Sequence, residues 1–123
     1  MQSILGNTRK ADIVFHSSGR IDITARVAKS LGLQHGDVVD IMLNRGEWYL
    51  YIKYHSPVYG RHEGMAYRSN ARGNHFRVWS KALCNAVLKE CQAGDKVKLC
   101  VGIPEDLYIY GKALPIIIKY ILL

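Results

Sequence analysis

The run Arg20–Thr24 alternates strictly, with Ile21 and Ile23 pointing one way and Arg20, Asp22 and Thr24 the other, which is the period of a half-buried strand. Before it, Asp12–His16 is rich in β-branched and aromatic residues, and the short Ser17-Ser18-Gly19 segment between the two runs predicts a hairpin. The period then changes. Val27, Ala28 and Leu31 form one apolar stripe with Arg26, Lys29 and Ser30 outside it, so a short helix is expected, capped by the Thr24 hydroxyl and ended by Gly32. Leu33 reaches back toward the core, and His35-Gly36-Asp37 turns the chain into a strand, Val38–Leu43. A turn at Asn44-Arg45-Gly46 leads to another strand, Glu47–Lys53.

The same order is written a second time. Gly64–Arg68 and the turn Ser69–Gly73 answer Ile13–Gly19, with Val-Phe-His-Ser (from Val14) against Ala-Tyr-Arg-Ser (from Ala66). Phe76 and Val78 answer Ile21 and Ile23, and Ser80 can cap a longer helix whose apolar positions are Leu83, Ala86, Val87 and Cys91. Gly94-Asp95 answers Gly36-Asp37, Val97 and Leu99 answer Val39 and Ile41, and Leu107–Tyr110 answers Trp48–Tyr51. Five matched elements in order point to an internal duplication. One domain is expected, made of two ββαββ units at 12–53 and 64–111, joined by a linker at 54–63 that contains Pro57 and Gly60. The apolar tail, 112–123, is too short to span a bilayer and is expected to be an added strand or a subunit contact.

Length and composition fit this picture. A chain of 123 residues, 49% of them apolar, can bury a sizeable core without staples. No run approaches the roughly 18 uninterrupted apolar residues of a membrane span, and the first ten residues lack the order of a signal peptide, so a soluble, cytoplasmic protein with no membrane partner is expected. Cys84, Cys91 and Cys100 form no close-spaced pair, and read as small hydrophobes in a reducing compartment. Charge adds a function. The net +7 is concentrated at 54–81, where Arg61, Arg68, Arg72, Arg77 and Lys81 face Glu63 alone, and a local excess of that kind suits a polyanion such as nucleic acid.

Gly19-Arg20-Ile21-Asp22-Ile23, a small helix ending Leu31-Gly32-Leu33, and Gly36-Asp37-Val38-Val39-Asp40-Ile41 together resemble the amino-terminal module of AbrB and MazE type bacterial regulators and antitoxins. That resemblance covers residues 19–41, with a degenerate echo in the second unit. It implies a mainly β fold with two short helices, a pseudo-twofold swapped-hairpin barrel related to double-psi barrels, which a tandem copy would close within one chain. It also implies DNA binding through basic side chains of the hairpins and their flanking loops. The matching residues are Arg20 with Arg9, Lys10 and Arg26, and in the second unit Arg68, Arg72 and Arg77. Thr24 and Trp79 stand where the family has proline, Ala28 where its helix has arginine, and Asn74 where the second Gly-Arg would fall.

Catalysis finds little to stand on. There is no P-loop, dinucleotide fingerprint or nucleophile elbow, and the histidines at 16, 35, 55, 62 and 75 are scattered singly, whereas a metal site needs three or four converging ligands. No catalytic residue, metal or cofactor is therefore expected. Tyr49 and Tyr51 share a strand face, as do Tyr108 and Tyr110, which suits base stacking but suits wall packing better. Two functions remain: a DNA-binding regulator or antitoxin-type module, or a protein-interaction adaptor of double-psi type, with the tyrosines and the apolar tail as its contact to a partner or a second copy.

Overall fold

The structure, a computed structural model, describes residues 10–55, 60, 62–69 and 75–122. In chain order these form β1 (Ile13–His16), β2 (Arg20–Ile23), α1 (Ala25–Leu31), β3 (Val38–Asn44), β4 (Glu47–Tyr54), β5 (Ala66–Arg68) and β6 (Phe76–Trp79). There follow α2 (Lys81–Glu90), β7 (Lys96–Val101), β8 (Glu105–Asp106), a 3-10 turn at Tyr108–Tyr110, and β9 (Lys112–Leu122). Alternation decides which side of each strand turns inward. Ile13, Phe15, Ile21, Ile23, Val78 and Leu99 are wholly or almost wholly buried, and each contributes about 1.5–3 kcal/mol by leaving water.

Thr24 stands at the start of α1 with extended backbone, but its hydroxyl does not cap the helix. Instead its N–H and its hydroxyl both donate to the Asp12 carbonyl at 3.1 Å, which ties the helix start to the lead of β1. Ser80 does cap, accepting the Leu83 N–H at 3.1 Å. The α1 stripe of Val27, Ala28 and Leu31 is buried, and Gly32 ends the helix with φ 77°. In α2 the buried stripe is Cys84, Val87 and Leu88, while Ala86 is exposed. The left-handed residue after α2 is Gln92 rather than Gly94, and Ala93 N–H to Leu88 O repeats the closing bond of α1, Leu33 N–H to Ala28 O.

All strands join one curled antiparallel sheet in the order β3-β4-β9-β7-β1-β2-β6-β5, with β8 on β9. The two ends of that order meet at an isolated bridge, Val38 with Met65, backed by Val39 N–H to Gly64 O and Ala66 N–H to Asp37 O, so the sheet is barrel-like. The pattern of neighbours survives exchange of β1, β2, β3 and β4 with β5, β6, β7 and β9. Each hairpin is also placed between strands of the other half: β1 pairs with β7, β2 with β6, and β4 with β9.

Two expectations change here. Leu107–Tyr110 is not the counterpart of Trp48–Tyr51: Tyr108 takes φ 42° in the 3-10 turn, and it is β9 that pairs with β7 as β4 pairs with β3. The tail is thus a strand, as expected, but one inside the sheet, with Ala113, Leu114 and Ile116 buried between β4 and β7. Finally, Ala66, buried and paired with Val78, corresponds to Ile13 paired with Ile23, not to Val14, a shift of one residue and hence of one sheet face. Of the linker, 56–59 and residue 61 lie outside the described residues. Among the described residues no helix is long and apolar enough to cross a membrane.

Candidate nucleic-acid interface

Inward packing of the apolar positions leaves the alternate residues of β7, β1, β2, β6 and β5 on one outer face. Register then sets the neighbours. Lys98 lies opposite Val14, Val14 opposite Asp22, Asp22 opposite Arg77 and Arg77 opposite Tyr67. A second row runs from Lys96 to His16, on to Arg20, and from Arg20 to Trp79. Four cations thus share the face with one carboxylate, and Trp79 stands 49% exposed at its edge.

Asp22 organises the middle. Its Oδ2 lies 2.8 Å from His16 Nε2 and 3.3 Å from Arg20 Nε, and its Oδ1 lies 3.5 Å from Arg77 Nε. The Arg20 Nε is within ion-pair range but not aimed for a hydrogen bond, and makes none. His16 Nε2 is also 3.2 Å from Arg20 Nη2. A single ring nitrogen either donates to Asp22 or accepts from Arg20, so the imidazole's tautomer decides which bond is made. In both cases one carboxylate holds two guanidinium groups from adjacent strands at a set spacing.

Protein-family models, curated proteins and solved structures give no match to this chain. What the face can do is therefore read from its own residues. Of the basic residues expected to bind nucleic acid, Arg20 and Arg77 lie together on it. Arg26 and Arg68 do not: they line a separate cavity beside α1, where Arg26 Nη2 pairs with the buried Asp12. Lys10 is exposed ahead of β1, and Arg9 and Arg72 lie outside the described residues. Lys96, Lys98, His16 and Trp79 were not among the expected residues. The signal for the lysines was present, since Lys96 and Lys98 alternate with the buried Val97 and Leu99, but their neighbours depend on the distant pairing of β7 with β1.

The tyrosines divide. Tyr49 and Tyr51 are buried with Ala113 in a small outer core, packed by Met42 and Leu107. Tyr51 donates to Asp40 Oδ2 at 3.3 Å and meets Tyr110 edge to face at 5.4 Å. Burial pushes both phenols above their ordinary pKa, with Glu105 and Glu47 adding to the rise at Tyr49 and Asp40 at Tyr51. They are wall residues, not a stacking platform. The cysteines are free thiols. Burial raises the pKa of Cys84 and Cys91, the opposite of what a reactive thiolate needs. Among the described residues no three His, Cys, Asp or Glu side chains are grouped to hold a metal ion.

Proposed function

We propose that the protein is an AbrB-like DNA-binding module, a transcriptional regulator or antitoxin-type protein, whose single chain supplies both halves of a swapped-hairpin, double-psi-like barrel. The interleaving of each hairpin with the other half supports the architecture. The outer face of β7-β1-β2-β6 supports the binding. From β7 to β6 is three strand steps, about 14 Å at the usual strand spacing, against a major groove about 12 Å wide. Set over the groove, Lys96 and Lys98 reach phosphates of one backbone and Arg77 those of the other. The β1-β2 hairpin then faces the groove floor, with Arg20 available to base edges and Asp22 and His16 positioning it.

The observation that carries this reading is the convergence of Arg20, Arg77, Lys96 and Lys98 on one face, from strands far apart in sequence. An adaptor would need the apolar tail and the tyrosine face as contact surfaces. Here Ala113, Leu114 and Ile116, together with Tyr49 and Tyr51, are spent within the chain, which leaves only Tyr108 and Tyr110 of the tyrosine faces exposed for such a contact.

Fluorescence anisotropy with a mixed-sequence DNA duplex tests the proposal. Affinity should fall steeply between about 50 and 200 mM salt, and each lost phosphate contact should lower the slope of log K against log salt by about 0.9. The double variant Arg77→Ala, Lys96→Ala should therefore flatten that slope by nearly two. No binding at the lower salt, or an unchanged slope, ends this reading.

A further inference from the structure

A cavity beside α1 holds a second cluster of cations, away from the sheet face. Ala25, Arg26, Ala28, Lys29 and Gly32 of α1 and its C-terminus form one wall of a cavity of about 420 Å³, and Leu33, Gln34, Arg68 and Phe76 complete it. Phe76 and Leu33 are buried and give a firm apolar floor, while Arg26, Lys29 and Arg68 are exposed around the rim. The three cations come from two elements, α1 and the end of β5, and Arg68 reaches the cavity beside Phe76, which it faces across the β5-β6 pair. One carboxylate, Asp12, answers Arg26; among the described residues none is paired with Lys29 or Arg68.

We propose that this cavity binds a phosphate group. Arg26 and Arg68 supply planar donor forks, Lys29 a point charge, and the Gln34 amide a neutral donor, the set that phosphate recognition uses. Asp12 holds Arg26 by one nitrogen, so its guanidinium is oriented beforehand. The apolar floor gives the rest of a small phosphorylated molecule a surface to cover, and the volume is within the usual range of small-molecule sites. The phosphate could belong to a free phosphorylated metabolite or to a nucleic-acid backbone; its chemistry at the cavity is the same. This inference does not rest on the DNA-binding face, which shares none of these residues.

Isothermal titration calorimetry with inorganic phosphate tests it directly, on the full chain and on two variants that alter exposed side chains. Binding should saturate at one site per chain, weaken at least tenfold in Lys29→Ala, Arg68→Ala, and be unchanged in the sheet-face variant Arg77→Ala, Lys96→Ala. Circular dichroism melts of both variants should match the parent and so exclude misfolding as the cause. Non-saturating heats, or an equal loss in both variants, overturn the proposal. A short oligonucleotide then distinguishes the two sources. If it displaces phosphate, the site serves a nucleic-acid backbone; if phosphate still binds at saturating oligonucleotide, the site serves a free ligand. DNA affinity of the Lys29→Ala, Arg68→Ala variant, measured alongside, keeps a failure here separate from a failure of the DNA-binding face.

Discussion

Asp22 and Arg77 stand directly opposite each other across the β2-β6 pair, with Oδ1 and Nε 3.5 Å apart, at the centre of the proposed DNA-binding face. The carboxylate is the one acid among four cations, so its removal has two opposed effects. It frees Arg20 and Arg77 to wander, and it deletes a negative charge facing a polyanion. Partly exposed ion pairs are worth at most about 1 kcal/mol, whereas like-sign charge opposes every phosphate in reach. Asp22→Asn should therefore leave the urea midpoint nearly unchanged, strengthen binding to mixed-sequence duplex several-fold, and reduce discrimination between sequences. Weaker binding in anisotropy would show that positioning outweighs charge.

Gly64 closes the sheet. Its φ is 87°, and a Cβ there would lie 2.6 Å from the Val39 carbonyl oxygen, the atom next to the closing bond from Val39 N–H to Gly64 O. Neither backbone can yield without parting β3 from β5. Gly64→Ala should cost about 1–3 kcal/mol, a strained left-handed residue added to a clash. Chemical denaturation checks this, and hydrogen exchange should rise first at Val39 and Ala66.

Removing Pro115 to the end should abolish the fold rather than trim it. Trp48 pairs with Ile116 and Tyr49 with Pro115, and from the other side Lys98, Cys100 and Val101 pair with Leu122, Ile117 and Ile116. The truncated chain would keep only Ala113 and Leu114 beside β4, leave β7 with a bare edge, and open the core where Ile116 is buried. Loss of a cooperative melt by circular dichroism is the expected outcome. A folded truncated protein would contradict the sheet order.

Alkali should destabilise the protein through its buried phenols. Burial raises the native pKa of Tyr49 and Tyr51 above the unfolded value of about 10. The stabilisation they contribute is then fully present below that pH and is lost as pH rises through the higher native values. Denaturant midpoints should hold up to about pH 10 and fall above it, and Tyr49→Phe, which has no proton to lose, should fall less steeply.

What the sequence shows of this fold is what local chemistry determines. The α1 stripe and Gly32 are legible because a helix and its cap are settled within a few residues. The Thr24 hydroxyl reads as a cap because its true acceptor, the Asp12 carbonyl, lies twelve residues away, just ahead of β1. The strand at the tail is legible, but the fourth strand of the second unit reads at Leu107–Tyr110 because that run alternates and is spent on a turn, whereas the apolar run of β9 has no period to place it in the repeat. Half of the proposed interface was legible for the same reason. Arg20 and Arg77 sit on strands that announce themselves, whereas Lys96 and Lys98 join them only through the pairing of Phe15 with Val97, and no spacing rule encodes the choice of partner strand.

The interleaved hairpins set a constraint on how the chain comes together in time. During synthesis β1 finds β2 at once, but its other neighbour, β7, emerges some eighty residues later, and β4 waits for β9, the last of the described strands. Neither half has a complete sheet to fold into, and loop closure must be completed before the long-range pairs form. The final event should be the slotting of β9 between β4 and β7. Trp48, paired with Ile116 across that slot, would report it as a slow refolding phase in fluorescence, best seen in a Trp79→Phe background.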